Sequence, residues 1–327
     1  MSRLSSLKKF IIPFPNNLFL KLLLIISSFV FAIAFIPVIG SICLLLLPMI
    51  LFFNSSVNDR IKTAVAFLIS LSLLFFLSTL FHLNLPTVAI FTVGVAGLLI
   101  VQIAAQNESV EKVIIYPALF IISAICFYFI YGGFTLSVNP WQLVEKYIAA
   151  IIQENVKFYS QLPLKAEDIN FIKDNEKNII YGFTQIFPSL VIIASTFIIW
   201  ANFLLGKQIL SKAGIIWPRF IALARWKAPE LIVWIFIISG GLLFVPNKEI
   251  NFLSLNIFLV TCFIYLLQGL AILSFFFQSK NVPLFFRYFF YFLIAVQQIL
   301  MIPIVAVGLF DIWIDFRKYF QKNQTNI

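Results

Sequence analysis

The chain has 327 residues, of which 62% are hydrophobic and only 11% are charged. Soluble domains carry about 25% charged residues, so this composition excludes a water-soluble globular protein. Several apolar runs reach the roughly 18–20 residues that a helix needs to cross a bilayer. These runs are continuous, which excludes a transmembrane barrel of alternating strands. The sequence therefore predicts an all-α, polytopic transmembrane helical bundle with roughly eight to ten membrane segments.

The net charge of +10 is distributed as in a membrane protein, not as in a protein that binds nucleic acid. Short loops rich in Lys and Arg stay in the cytoplasm, because their transfer across the bilayer is unfavourable. The most basic short loop, residues 206–230, contains Glu230 as its one acid. It predicts a multi-pass protein of the bacterial cytoplasmic (inner) membrane with its N-terminus inside. Its basic residues are Lys207, Lys212, Arg219, Arg225 and Lys227.

The first apolar run extends from Leu22 to Phe53 and is interrupted at Pro37 and Gly40. This run is too long for one helix and too short for two helices that each cross the whole membrane. We therefore expect two short helices, or one helix and a re-entrant segment. A basic turn at residues 54–62 then returns the chain to the cytoplasm. Further spans are predicted to end near Phe81, to begin near Thr87, and to cover about residues 113–131, 179–205, 231–245 and 253–277.

Residues 132–178 form the one long polar segment, and their nearly balanced charge suits an outer loop. Asn139 followed by Pro140 has the composition of a helix start, with an Asn cap and Pro at the first helical position. Apolar residues then recur at spacings of three, four and seven, which predicts an amphipathic helix of about 20 residues. Such a helix would lie at the membrane interface, cover an outward-facing pocket as a lid, or bind a partner.

The last apolar segment, residues 284–316, allows two topologies. As one span it places Arg317 outside the cell. As a hairpin broken near Gln297, Gln298 and Pro303 it keeps Arg317 inside, which we prefer. We expect one integral membrane domain over residues 1–327. Its parts are a helical region at residues 22–205 with the outer loop 132–178, the basic loop 206–230, and additional C-terminal helices at residues 231–316.

Motifs of catalysis are absent from the sequence. There is no GxxxxGK[ST] phosphate loop and no HExxH zinc motif, so we expect no enzyme, no cofactor and no metal site. The cysteines at positions 43, 126 and 262 lie inside apolar runs, and we expect buried apolar side chains rather than disulfides. Asp311 and Asp315 are four residues apart on one helix face. With Arg317 just beyond them, they predict an ion-paired face at the membrane interface.

Uncharged polar residues inside predicted spans either form interhelical hydrogen bonds or belong to a polar ligand site. They are Gln102, Gln185, Asn202, Gln268, Gln297 and Gln298.

A ligand site open to the outside would lie where the outer helix ends meet beneath the long loop. Aromatic residues there would stack on a flat ring; alternatively, they form the ordinary aromatic belt of a membrane protein. The candidate ligand-binding residues are His82, Asn84, Tyr131, Trp141, Tyr147, Tyr181 and Gln185.

Two segments carry a resemblance to a known family. ARWKAPELIVW at residues 224–234 and GLFDIWIDFRK at residues 308–318 resemble the best-marked segments of the YybS-like family of predicted bacterial membrane proteins, whose function is unknown. Their order and spacing also fit that family. The family-like positions are Arg225, Trp226, Lys227, Pro229, Glu230, Asp311, Asp315 and Arg317.

The N-terminal part shows a second resemblance. Residues 35–68 are similar to the start of the substrate-binding S components of energy-coupling-factor (ECF) vitamin transporters, with Pro37, Gly40 and Pro48 at matching places. The resemblance implies a first helix, a break, a short helix containing Pro, and a turn into a third helix. In that family, small residues spaced by four on the first helix contact a transmembrane coupling subunit. The nearest match here is Ser28 with Ala32.

These observations lead to two functional hypotheses. The first is a small-molecule (vitamin-like) binding subunit of an uptake system powered by a separate ATPase. Its partners would be the lipid bilayer, a transmembrane coupling subunit with its ATPase, and a small-molecule ligand, with no nucleic acid. The alternative is a structural or assembly scaffold of the membrane that binds lipids or protein partners.

Overall fold

The structure, a computed structural model, describes residues 18–106, 108–161, 170, 172–215 and 223–322. Over these residues the regular elements are all helical, which confirms the predicted all-α class. The α-helices are α1 Leu18–Phe35, α2 Pro37–Val57, α3 Arg60–Leu80, α4 Thr87–Ala104, α5 Val110–Leu136, α6 Pro140–Tyr159, α7 Glu176–Lys212, α8 Leu231–Leu242, α9 Lys248–Ser279, α10 Leu284–Val296, α11 Met301–Ile314 and α12 Phe316–Lys322.

Seven of the described helices are long and apolar enough to cross a membrane, namely α1–α5, α7 and α9. The pair α10 and α11 also qualifies if it counts as one span, but it bends by 105°. The bend falls at Gln297, where the broken-hairpin alternative predicts an interruption. Helix α8 is apolar but has only 12 residues, fewer than the roughly 20 that a full span requires. The polytopic helical bundle is therefore confirmed.

The first apolar run forms two full-length helices, so the expectation of short helices is wrong. Helices α1 and α2 have 18 and 21 residues, because the helical region begins before Leu22 and extends past Phe53. Ile36 breaks them with an extended backbone, and Pro37 begins the next helix. A Cβ atom on Gly40 would lie 2.6 Å from the carbonyl oxygen of Ile33. Only glycine therefore allows the start of α2 to pack this closely against the end of α1.

The predicted amphipathic helix is present as α6, which has 20 residues. The Asn139 side chain accepts a hydrogen bond from the Trp141 amide at 2.8 Å, and Pro140 occupies the first turn, as the cap motif predicts. Val144 and Ile148 are its buried residues. Four residues apart, they lie on one face, which explains the apolar periodicity of the sequence.

Spatial contacts group the residues into two compact units. Unit 1 contains the described residues within 1–128 and 194–218, and unit 2 contains those within 129–193 and 219–327. The boundaries fall within α5 and α7, so these two helices contribute to both units. Helix α7 continues to Lys212, which means that the first seven residues of the predicted basic loop 206–230 are helical. Arg219 of that loop lies outside the described residues.

In the core of unit 1, an asparagine side chain from one helix hydrogen-bonds the backbone of another helix that contains a proline. Pro48 lies inside α2, and it has no N–H to donate to the preceding turn of the helix. The Asn202 side chain accepts from Met49 N–H at 2.9 Å and donates to the Leu45 oxygen at 2.8 Å. An unpaired backbone group in a lipid environment costs several kcal/mol, so Asn202 forms the interhelical hydrogen bonds that its position predicts.

Unit 2 uses the same arrangement at a second proline. Pro188 lies inside α7, and the side chain of Asn256 on α9 joins the two backbone groups beside it. Its oxygen accepts from Ser189 N–H at 2.8 Å, and its amide donates to the Gln185 oxygen at 2.8 Å. In each case the asparagine side chain hydrogen-bonds two backbone groups next to a proline inside the bundle.

The tightest helix contact in unit 2 joins α9 and α11. Cβ atoms added to Gly269 or Gly308 would overlap the backbone of the opposite helix, so small residues set this close approach. Tyr265 is fully buried beside Gly308.

The expected burial of the cysteines is wrong. All three are free thiols. Cys126 is exposed, and Cys43 and Cys262 are partly exposed. Their helices carry apolar residues on the surface as well as in the core, because the lipid-facing side of a membrane helix is also apolar.

Candidate functional site

The two family-like segments meet in unit 2. Residues 224–228 form a short 3-10 turn and a coil before α8, and residues 311–318 cover the end of α11 and the start of α12. The middle of α9 contributes Gln268 between them. We call this cluster the clasp, and define it as residues 224–228, Gln268 and residues 311–318.

A buried ion pair lies at the centre of the clasp. Arg317 Nη1 is 2.5 Å from Asp311 Oδ2, and the two side chains are 7% and 0% exposed. The same guanidinium donates from Nε to the Ala224 carbonyl at 3.1 Å and from Nη2 to the Trp226 carbonyl at 2.7 Å. Arg317 thus holds the coil through two backbone oxygens while its charge is balanced by Asp311.

Asp311 and Gln268 connect the coil to the helices. The Phe316 amide donates to Asp311 Oδ1 at 3.0 Å, and Gln268 Nε2 donates to Asp311 Oδ2 at 3.2 Å. Gln268 Oε1 accepts from the Ala228 amide at 3.0 Å. The carboxylate therefore has three donors, which offset part of the desolvation cost of burying its charge.

Asp315 forms the outer edge of the clasp. Its backbone has φ 45°, a left-handed conformation that ends α11. Its carboxylate lies 3.3 Å from Lys227 and 3.3 Å from Lys318, and its side chain is 26% exposed. Partial burial acts to raise the pKa of Asp315, but hydrogen bonds from Lys227 and Lys318 outweigh it, so the pKa lies below its usual value.

The clasp corrects one prediction about these acids. The ion pairing itself is confirmed, but Asp311 is buried and not part of an interfacial face. The Asp315 amide still donates to the Asp311 carbonyl at 3.2 Å, and its left-handed backbone ends the helix there. The polar atoms of the central ion pair all have partners, which suits a structural connection and leaves no free general base.

Three of the remaining family-like residues lie outside these contacts. Arg225, Pro229 and Glu230 are exposed. Glu230 precedes α8 without a side-chain cap bond, and Pro229 lies in the turn that leads into that helix. Trp226 takes part through its backbone oxygen.

The predicted ligand-binding residues are divided between the two units. His82 and Asn84 are exposed in the turn after α3, in unit 1, and His82 has φ 53°. The other five belong to unit 2. Tyr131 and Tyr181 are exposed, whereas the Gln185 backbone oxygen binds Asn256.

Two aromatic members of this set pack against phenylalanines. The Trp141 ring lies edge-on to Phe252, with ring centroids 5.5 Å apart. Tyr147 makes an edge contact with Phe129 at 5.9 Å. Helix α6 is therefore anchored to its unit by aromatic contacts.

The predicted partner contact lies on α1. The buried face of α1 contains Leu22, Ile26 and Val30. Ser28 is exposed, and its hydroxyl donates to the Ile25 carbonyl at 2.8 Å. Ala32, one turn further, is half-buried.

One residue and one backbone segment of these hydrogen-bond networks were not predicted. Nothing in the sequence analysis assigned a role to Asn256, or to the backbone of residues 224–228. One sequence signal could have identified Asn256. It is an asparagine in an apolar helix, in a chain that also has a proline inside another helix. The role of the backbone of residues 224–228 could not be predicted, because backbone acceptors carry no sequence signature.

Comparisons with known proteins place the chain in one family. No curated protein and no solved structure gives a significant match. A family model described as "Predicted membrane protein (DUF2232)" matches residues 24–312. That range contains the coil segment of the clasp, Gln268 and Asp311. The chain therefore belongs to the DUF2232 family of predicted membrane proteins.

Proposed function

We propose that the protein is the small-molecule-binding membrane subunit of an uptake system powered by a separate ATPase. The supporting observation is the order of elements at its N-terminal end. Helix α1, a one-residue break, α2 with Pro48 inside it, and a turn capped by Asp59 into α3 follow one another. This is the order that the resemblance to S components implies. We also propose that the chain is related to the YybS-like family, because the two sequence segments that resemble this family contain all the residues of the clasp except Gln268.

The exposed side of α1 suits the proposed coupling contact. Ser28 and Ala32 are small and spaced by four, and neither belongs to the buried face of the helix. Small residues allow two helices in a membrane to approach closely. Replacing both with Leu should block such a contact and leave the fold intact, because Leu is at home in lipid. If the double variant still co-purifies with every partner of the wild type, the coupling contact is refuted.

We place the proposed ligand beneath α6, with Trp141 as a stacking residue and Gln185 as a polar contact. The ligand would be a small, flat, vitamin-like compound. Native mass spectrometry of gently purified protein is the direct test, and a bound small molecule is the expected result. A protein with Trp141 as its sole tryptophan should show a saturable fluorescence change with such a compound, and Gln185→Ala should abolish it.

We propose an orientation with the N-terminus and the clasp in the cytoplasm of a bacterial cell. The coil of the clasp belongs to the basic segment 206–230, which the charge bias places inside. Since Lys227 pairs with Asp315, the C-terminal turn shares that side, which supports the broken hairpin. A cysteine at Lys157 should react with a membrane-impermeant thiol reagent on intact cells, in a background without native cysteines. A cysteine at Lys212 should not react, and the reverse result would overturn the orientation.

A membrane scaffold is the second candidate. The clasp favours it, because its central polar groups are satisfied within the protein and need no ligand. The two functions differ in one variant. In a lid, Trp141→Ala reduces ligand retention, whereas in a scaffold it affects only membrane anchoring. If no compound co-purifies and Trp141→Ala leaves the physiological phenotype intact, the transport function is refuted.

A further inference from the structure

Unit 1 contains a cavity of about 270 Å³ between the end of α2, the start of α3 and the last turns of α4. Most of its wall is apolar, with Ala64 on α3 and Leu98 and Leu99 on α4. Three polar residues also line it: Ser55, Arg60 and Gln102.

Among the described residues, these three polar side chains have no hydrogen-bond partner. Ser55 is 3% exposed, and its hydroxyl has no hydrogen bond. Arg60 and Gln102 are exposed, and over the described residues neither side chain has a hydrogen bond or an ion pair. The adjacent carboxylate of Asp59 instead caps α3, accepting from the amides of Ile61 and Lys62 at 2.8 and 3.2 Å.

All three of these groups can donate hydrogen bonds, and one of them is cationic. A buried hydroxyl without a partner is uncommon in native proteins, so it indicates a ligand that the protein alone does not supply. An anionic oxygen acceptor matches the donors, and a guanidinium binds a phosphate group in a fork geometry. The apolar wall matches a hydrocarbon chain.

The position of the cavity agrees with an amphiphilic ligand. Ser55, Arg60 and Gln102 lie near the ends of three helices that are candidate membrane spans, which is the level of lipid headgroups. Lys62 adds a second positive charge nearby, and basic residues at this level attract anionic lipids.

We propose that this cavity binds an anionic phospholipid. The phosphodiester accepts hydrogen bonds from Arg60, Ser55 and Gln102, and an acyl chain lies against the apolar wall. This site is independent of the proposed transport function, which concerns other residues, so either can fail alone.

The test uses the full chain, purified in a mild detergent, with dioleoyl phosphatidylglycerol as the probe. Bound lipid is measured by native mass spectrometry over a lipid titration. Dioleoyl phosphatidylcholine and soluble glycerol 3-phosphate serve as the other probes. Preferential binding of phosphatidylglycerol is expected. Equal binding of phosphatidylcholine would indicate general lipid contact, and equal binding of glycerol 3-phosphate would indicate a soluble phosphate; either result overturns the proposal.

Arg60→Gln should weaken phosphatidylglycerol binding roughly tenfold, because it removes a charge-assisted contact. Lys62→Gln is the matched control, since it makes the same change in charge two residues away and Lys62 does not line the cavity. It should change binding less than about twofold. Equal losses in the two variants would show attraction by net charge alone and would refute the site.

A second pair of variants tests the cavity without changing charge. Ala64→Trp should fill the cavity and abolish binding, whereas Val65→Trp, at an exposed neighbouring position, should leave binding unchanged. Ser55→Ala should raise the thermal stability of lipid-free protein, because it removes an unsatisfied hydroxyl, and yet weaken lipid binding severalfold. If Ala64→Trp and Val65→Trp bind lipid alike, the cavity is not the site.

Discussion

Asp311→Asn should destabilise unit 2 strongly, because it leaves the buried charge of Arg317 without its counter-ion. The pair is almost fully buried, with side chains 7% and 0% exposed. Removal of one partner from such a pair costs about 3–5 kcal/mol. The amide nitrogen of Asn would also face at least one of the three donors that now point at the carboxylate, which are the Phe316 amide at Oδ1, and Gln268 Nε2 and Arg317 Nη1 at Oδ2.

The matched control is Asp315→Asn, which removes the same charge four residues away. Asp315 is 26% exposed and pairs with two lysines at 3.3 Å, so its loss should cost below about 1 kcal/mol. Asn also tolerates the left-handed backbone at this position. The substitution therefore tests the ion pairs without straining the turn.

Thermal unfolding in detergent, followed by tryptophan fluorescence, measures the difference. With about 2–4 °C per kcal/mol for a domain of this size, Asp311→Asn should lower Tm by roughly 6–20 °C. Asp315→Asn should lower it by only about 2–4 °C at most. Equal shifts in Tm for the two variants would refute the conclusion that the buried Arg317–Asp311 pair stabilises the fold more than the ion pairs of Asp315.

A second comparison separates the ion pair from simple loss of packing. Asp311→Leu combined with Arg317→Met removes both charges, so no unpaired buried charge remains. The double variant should be less destabilised than the sum of the two single variants. Additive losses would mean that the two side chains act separately.

Three further predictions concern other contacts. Asn256→Leu removes two buried hydrogen bonds to the backbone beside Pro188 and should cost about 2–4 kcal/mol in the same assay; a neutral effect would show that these two bonds do not stabilise the fold. Gly308→Ala forces α9 and α11 apart and should lower Tm, whereas Gly241→Ala, with nothing within 4 Å, should not. Because the pKa of Asp315 is lowered in the fold, its pairing with Lys227 stabilises the protein above about pH 4 and is lost below it. The Tm difference between wild type and Asp315→Asn should therefore vanish in acid; a constant difference would exclude this pairing.

The features that the sequence determined by itself are local ones. A membrane helix must contain a run of apolar residues and a helix cap needs a particular side chain, so the helices and the Asn139 cap of α6 could be predicted. The interruption near Gln297 was also predictable as an alternative, since polar residues there interrupt an apolar run. The lengths of α1 and α2 were not, because α1 begins before Lys21 and α2 continues through Asn54, Ser55 and Ser56, so both helices extend past the limits of the apolar run.

The tertiary structure alone decided which distant residues meet. The Arg317–Asp311 pair is local, but its burial depends on a coil more than 80 residues earlier in the chain, and that coil contributes backbone oxygens. Side-chain spacing cannot reveal such acceptors, since every residue has one. The partners of Asn202 and Asn256 are equally hidden, because interhelical packing sets them. Lipid-facing and core-facing surfaces are both apolar in a membrane protein, so hydrophobicity shows that a helix spans the membrane but does not show which face meets its neighbours.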